Sequence, residues 1–279
     1  MQVRVNERDL YDTRDAALAA GRVMTWAGTT RVTASAAGVR SVWLPDWHGE
    51  RAASSKERRS TRAVASVIEC GDDPAARKHL RQALDELGEY FTGRRRTFSV
   101  ALDPRGPDFF AVVWSAVACV PPGETRSYGE IARAVGHSEA ARAVGAANGA
   151  NPVAPFVPCH RIVGSDGRLT GYGPGLPLKR HLLELEGALA ASGGATADAY
   201  AAWIAGLRER YGDGLLLGIR ATKTACRPEC AVARRHADLP ARFFGSRAEA
   251  AAAGFTACRS CGADTSAVAV GLPGFAVPS

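Results

Sequence analysis

The chain has 279 residues, 46% of them hydrophobic and 23% charged, and a formal net charge of +7 from 35 Lys and Arg against 28 Asp and Glu. This supplies ample material for a core and suits two or three domains better than one, while no run approaches the roughly 18 apolar residues of a membrane-spanning helix. The charge is spread, +3 over residues 1–113, +1 over 114–187 and +4 over 200–264, so any nucleic acid must be met by placed Arg and Lys and not by a polybasic tail.

In chain order, the opening MQVRVNERDLYDTRDAAL lacks the apolar stretch of a signal peptide, which points to the cytoplasm. Alternating apolar and polar residues at Arg31–Ala34 and Gly38–Leu44 predict a hairpin or small sheet within 20–47. The basic stretch 51–62, RAASSKERRSTR, reads as a solvated loop and not a DNA arm. Leu80, Leu84, Leu87 and Phe91 recur at helical spacing, which predicts a helix over 74–92 with Pro74 in its first turn. The Pro and Gly of DPRGPD at 103–108 mark a boundary, and 109–119 is predicted as a largely buried helix.

Ser127 followed by Glu130 makes a capping box for a short helix, YGEIARAV, that closes at Gly136. A second helix is predicted from about Ser138 through EAARAVGAAN. Two short helices about a glycine turn fit a helix-turn-helix, and equally a plain helical hairpin. The Ala/Gly/Ser/Thr stretch 188–198 reads as a linker.

Residues 157–163, VPCHRIV, put Cys159 directly before His160. A thiol attacks carbon as the thiolate, which needs a base or positive charge nearby. Neighbours in a straight strand point to opposite faces, so a turn or a bridging water is needed before His160 can serve Cys159. A cysteine hydrolase would take its His from a separate element and add an oxyanion hole, which an adjacent His fits poorly.

Residues 148–187 contain Asn-Pro at 151–152, Pro-Cys-His-Arg at 158–161, Gly-Tyr-Gly at 171–173 and Leu-Leu-Glu-Leu-Glu-Gly ending at Gly187. This segment resembles the O6-alkylguanine-DNA alkyltransferase family. TRSYGEIA (125–132) and AARAVG (140–145) match that family's helix-turn-helix in order and spacing, and EYFTGRRRTF (89–98) and LDPRG (102–106) are similar to its N-terminal domain. The resemblance implies a methylated-DNA–protein-cysteine S-methyltransferase that moves an alkyl group irreversibly, once, from O6-alkylguanine in double-stranded DNA to Cys159. It further implies that Glu186 holds His160, which draws the thiol proton through a water, and that Tyr128 donates a proton toward the base. Arg142 would fill the gap left by a flipped-out nucleotide, Ser127 and Tyr128 would face DNA, and Asn151 would tie the recognition helix to the active-site loop. Arg161 is expected to make a structural charge contact. Ala154 and Pro174 depart from the family pattern near the alkyl pocket.

Three residues lie between Cys226 and Cys230, two between Cys258 and Cys261, and 27 between the pairs. In a reducing compartment that clustering points to one tetrahedral zinc site with four thiolates. Zinc would also let a module of about 65 residues fold around a small core. Residues 224–264 resemble the metal-binding domain of the adaptive-response protein Ada through Cys-Arg-Pro-x-Cys, Arg-His at 235–236, Phe-Phe at 243–244, Gly-Phe at 254–255 and Cys-x-x-Cys. That resemblance implies a second methyl transfer, from a DNA methylphosphotriester to Cys226, with Arg227, Arg234 and Arg235 on flanking phosphates. The module order is inverted relative to Ada, and only residues 265–279 follow, so an attached transcriptional switch is not expected.

The expected architecture is α/β. A small N-terminal β-sheet domain (1–108) precedes a helical helix-turn-helix alkyltransferase domain (109–188). A linker (189–199), a small zinc-stabilised α+β domain (200–266) and a tail (267–279) follow. One zinc, no organic cofactor, a monomeric state and no membrane partner are expected. The rival reading is a non-enzymatic binder or sensor of alkylation damage with a structural zinc domain, which has no need of Cys159 as nucleophile.

Overall fold

A computed structural model of the chain describes residues 18–45, 64–190, 197–237 and 239–262. The opening segment, the basic stretch 51–62, the middle of the expected linker and the tail lie outside the described residues. The rest divides into two units, one of residues up to 114 with 146–159 and 173–178, the other of 115–145, 160–172 and 179 onward.

In the first unit β1 (Ala19–Thr25), β2 (Gly28–Ser35) and β3 (Gly38–Trp43) form an antiparallel meander, and β4 (Val64–Cys70) joins β1 on its free side to give the order β3-β2-β1-β4. Helix α1 (Pro74–Phe91) packs on this sheet. Asp73 caps it by accepting from Ala76 N at 2.8 Å, Pro74 takes the first helical position, and Leu80, Leu84, Leu87 and Phe91 are buried as their spacing requires. Gly38 has φ +151°, and a Cβ there would sit 2.5 Å from Ala101 O. Its absence lets Val39 N donate to Ala101 O and Asp103 N to Val39 O, both at 2.8 Å, which lays 101–103 along the sheet edge.

Helix α2 (Asp108–Ala118) is two-faced, against the expectation of a largely buried helix. Val113, Trp114, Ala116 and Val117 are buried, whereas Ala111, Val112, Ser115 and Ala118 are exposed. A nearly all-apolar segment hides which stripe faces the core, and only the packing selects it.

In the second unit the capping box forms as expected: Glu130 N donates to Ser127 Oγ at 3.2 Å and Ser127 N to Glu130 Oε2 at 2.7 Å. It starts α3 (Tyr128–Ala134), which stops before Gly136 at φ +79°. Helix α4 (Ala141–Gly149) begins three residues later than predicted, because residues near Ser138 form a turn closed by Ala140 N on His137 O. Strands β5 (Arg126–Ser127) and β6 (Ile162–Val163) pair in parallel, and α5 (Leu176–Glu186) follows. Ala188, Leu189 and Ala190, at the start of the expected linker, are buried.

Helix α6 (Ala197–Tyr211) leads into a sheet of order β10-β8-β7-β9, built from β7 (Leu216–Ile219), β8 (Thr224–Cys226), β9 (Arg242–Phe244) and β10 (Thr256–Ala257), with short helices α7 (Ala231–Arg235) and α8 (Arg247–Ala252). Strand β7 is buried on both faces. Leu217 and Ile219 pack with Leu207, Phe243 and three of the cysteines, while Leu216 packs with Phe244 and Phe255. Among the described residues no helix is long and apolar enough to cross a membrane.

Candidate active site and metal centre

Cys159 opens a single 3-10 turn, Cys159–Arg161, and not the straight strand in which its neighbour would point away. In the first unit Cys159 is buried, its N–H donates to Val157 O at 2.8 Å, and Asn148 Nδ2, from the last turn of α4, donates to its carbonyl at 3.2 Å. Asn151 lies beyond the helix. Its Nδ2 donates to Val157 O at 2.8 Å and its Oδ1 accepts from Val153 N at 3.1 Å. Asn151, whose own N–H donates to Asn148 O at 3.4 Å, thus links the end of α4 to the loop before Cys159, and Asn148 adds a tie to Cys159 itself.

One residue on, in the second unit, His160 is fully buried and its Nε2 lies 3.0 Å from Glu186 Oε1. Arg161 grips the same carboxylate with both arms of its guanidinium, Nε to Oε2 and Nη2 to Oε1 at 2.8 Å each, and its Nη1 donates to Val120 O. Burial pushes the Glu186 carboxyl up, but His160 and the bidentate Arg161 outweigh it and hold Glu186 ionised. Burial, with the positive charges of Arg161 and Lys179, overcomes Glu186 and holds His160 below the ordinary imidazole value, so it is neutral. A neutral ring that donates Nε2–H to Glu186 presents Nδ1 as its basic nitrogen.

Lys179 is fully buried, with Nζ donating to Ile162 O at 2.5 Å and Thr170 O at 2.8 Å. It holds β6 to the loop that follows. Nothing in the sequence reading singled out Lys179 or Asn148; a lysine at an apolar position of LPLKRHLLELE was the available signal for the first.

Tyr128 stands at the first position of α3, half-buried, and its hydroxyl is 3.5 Å from Thr170 O and Oγ1, the limit of hydrogen bonding. A Cβ on Gly145 would rest 3.8 Å from its ring, so Tyr128 lies along α4. Arg142, on the first turn of α4, is exposed. The side chain of Ser127 is turned into its cap and not to the surface where a DNA contact was expected.

The four sulfurs of Cys226, Cys230, Cys258 and Cys261 lie within 4.8 Å of one another, and Cys230 and Cys258 are 3.9 Å apart. A tetrahedral zinc with thiolate bonds near 2.3 Å separates its sulfurs by about 3.8 Å, so the donor set fits one zinc. Burial and then the crowding sulfurs push the Cys226 thiol far above its ordinary value. Burial also acts against Cys258, but the N–H groups of Cys261 and Ser260 bring it down to about 7. Four thiolates so close need a cation at their centre. Cys226 is wholly covered and Cys261 is the most accessible of the four. Arg227, Arg234 and Arg235 are exposed, and Arg234 lies over the Tyr200 ring at 5.7 Å.

Two family models match the chain. The first, the DNA-binding domain of 6-O-methylguanine DNA methyltransferase, matches residues 108–188, and the second, the metal-binding domain of Ada, matches 201–264. A methylated-DNA–protein-cysteine methyltransferase of Methanosarcina acetivorans is 51% identical over 107 residues, 38% of this chain and 69% of that protein. The chain belongs to the methylated-DNA–protein-cysteine methyltransferase family. The Mycobacterium bovis member of the family is 57% identical over 104 residues, 37% of this chain, and the match spans 63% of that protein's length. A crystal structure of Mycobacterium tuberculosis OGT in complex with DNA aligns at 40% identity with TM-score 0.46, covering 60% of this chain and 91% of that one. Within the methyltransferase-family segment fall Cys159, His160 and Glu186, and within the Ada-like segment all four clustered cysteines.

Proposed function

We propose that the protein repairs DNA directly, in the cytoplasm, by taking the alkyl group of O6-alkylguanine in double-stranded DNA onto Cys159. The observation that carries this reading is the buried Glu186–His160 pair, braced by Arg161, one residue after a buried cysteine on a tight turn. Cys159 Sγ forms a bond to the alkyl carbon as the carbon–O6 bond breaks. The thiol proton passes to His160 through a water, and guanine leaves as its ring takes a proton and O6 becomes a carbonyl. The sulfur stays alkylated, so each chain acts once.

Tyr128 acts as the proton donor toward the departing base, Arg142 fills the stack it vacates, and Ser127 sets the start of the helix that carries Tyr128. Asn148 and Asn151 fix the cysteine turn and its loop. Arg161 keeps Glu186 ionised, and Glu186 keeps His160 in the tautomer that accepts from sulfur.

Bound zinc would hold the four cysteine sulfurs as thiolates and knit the C-terminal module together. The Ada-like match favours a second transfer, in which Cys226 Sγ takes the methyl of a DNA methylphosphotriester and leaves a phosphodiester, with Arg227, Arg234 and Arg235 on neighbouring phosphates. Burial of Cys226 sets the condition that its cover opens first.

Incubation with DNA carrying radiolabelled methyl groups, followed by peptide mapping, tests both transfers. Label from O6-methylguanine is expected on Cys159 and is lost in Cys159→Ala. A chain that binds the lesion and takes no label would be a damage binder, and the repair reading would fall. Label from methylphosphotriester DNA on Cys226 decides the second transfer.

A further inference from the structure

A partly buried charge cluster, with Arg220 fully inside it, joins the metal-bearing sheet to the start of the helix-turn-helix. Arg220 follows directly on β7, the strand in which Leu217 pairs with Cys226. Its side chain is 2% exposed. Nη1 donates to Glu130 Oε2 at 2.8 Å, and Nη2 to Thr125 O at 2.6 Å. From β9, Arg242 Nη1 donates to the other oxygen, Glu130 Oε1, at 2.8 Å. That carboxylate already receives the Ser127 N–H of the capping box. One side chain thus ends two strands of the metal module and the cap of α3, whose first residue is Tyr128. A second clamp lies beside it: Arg210 donates to Pro122 O and to Glu124 Oε1, at 2.6 and 2.8 Å.

A capping box needs only Glu or Gln at its third position and no arginine. The two guanidiniums therefore do something more. Burying Glu130 is costly unless its charge is matched. Burial pushes its carboxyl up, yet Arg220, the Ser127 N–H and Arg242 bring it down to about 2. The planar fork of Arg220 spans Glu130 and the Thr125 carbonyl together, which a lysine ammonium does poorly. Thr125 immediately precedes β5, the strand paired with β6 just past the Cys159–Arg161 turn.

We propose that Arg220 is a positioning residue for the alkyl transfer: reaching from the metal module, it sets the start of α3 and with it the Tyr128 ring, so chemistry at Cys159 depends on the four-cysteine module being in place. This rests on the repair reading above.

The test is single-turnover transfer from O6-methylguanine duplex to the full-length chain, separating the saturating rate from the half-saturating DNA concentration, with zinc content measured alongside. Arg220→Gln should keep one zinc and its half-saturating concentration while the saturating rate falls about tenfold, the scale of a small misplacement of a reacting group. Glu130→Gln retains the capping box and loses both ion pairs. It should slow transfer similarly, and the double variant should be no slower than either. Arg220→Lys should stay slow, and Arg208→Ala, which breaks only the surface pair with Glu229, should match the wild type. Should Arg220→Gln lose its zinc, Glu130→Gln alone decides. A wild-type rate in zinc-replete Arg220→Gln or in Glu130→Gln, or a loss confined to DNA affinity, overturns the proposal. A wild-type chain inert toward O6-methylguanine would instead sink the repair reading, and this inference with it.

Discussion

Cys159 and Cys226 are both buried thiols set in different surroundings. In the residues that follow Cys159 the chain supplies its own charges. His160 is neutral, Glu186 is ionised, and Arg161 balances that carboxylate with two hydrogen bonds. Around Cys226 stand three more sulfurs, and burial together with their crowding raises the cost of ionising it. The first centre is complete as a polypeptide, whereas the second is complete only with a cation. A low-dielectric interior allows an activated sulfur by either route, but removing a partner does different damage in each.

The sharpest way to separate the two centres is to remove each sulfur. Cys159→Ala should abolish transfer from O6-methylguanine and leave any methylphosphotriester transfer intact, while Cys226→Ala, which removes a zinc ligand, should abolish any methylphosphotriester transfer and only slow the transfer to Cys159, both read by mapped label. Chelation comes next. It should free four titratable thiols and melt the C-terminal module, seen by thiol titration and circular dichroism, and should slow transfer to Cys159 without abolishing it. Glu186→Gln should slow transfer and lower stability in urea by about 3–5 kcal/mol, because Arg161 would be left as a buried charge without its counter-ion.

A smaller effect tests the charge cluster between α3 and the metal module. The Glu130 carboxyl is held at about 2 against an ordinary 4.5. A depressed carboxyl contributes stability that is full above its ordinary value and is lost as pH falls through its folded value. Thermal melting should therefore show a Glu130-dependent loss between about pH 4.5 and 2, and Glu130→Gln should remove that part of the acid dependence. The smallest change is Asp73→Ala, remote from both centres. It removes the cap of α1 and should cost about 1 kcal/mol with transfer unchanged.

The parts of the site that were legible in the sequence share one property, which is that a few neighbouring residues carry the signal. The capping box of Ser127 and Glu130, the Pro74 start of α1, the glycine stop after α3 and the spacing of the four cysteines all depend on short-range geometry. The motif around Cys159 was legible only through its resemblance to the alkyltransferase family, because an adjacent Cys and His carry no distinctive short-range geometry. The start of α4 was placed three residues early, since Ser138 resembles a cap while the chain there prefers a turn. The exposed stripe of α2 was hidden because nearly every residue in it is apolar.

By itself the sequence determined a sheet within 20–47, the helix that begins at Pro74 and the short helices after Ser127, and it singled out Cys159 and the four clustered cysteines as candidates. Only the tertiary structure decided what each charge meets. Arg161 and Glu186 are 25 residues apart, Asn148 and Cys159 are 11 apart, and Glu130 lies 90 and 112 residues from the two arginines that hold it. No periodicity links such positions. A charged side chain reads the same whether it ends in water or in the core, and what settles the matter is the cost of burial, which can be met only after distant elements have been brought together. Cys159 could be picked out by the resemblance of its segment to the alkyltransferase family. The buried pair that would activate it, and the arginine reaching in from the metal module, could be found only in the fold.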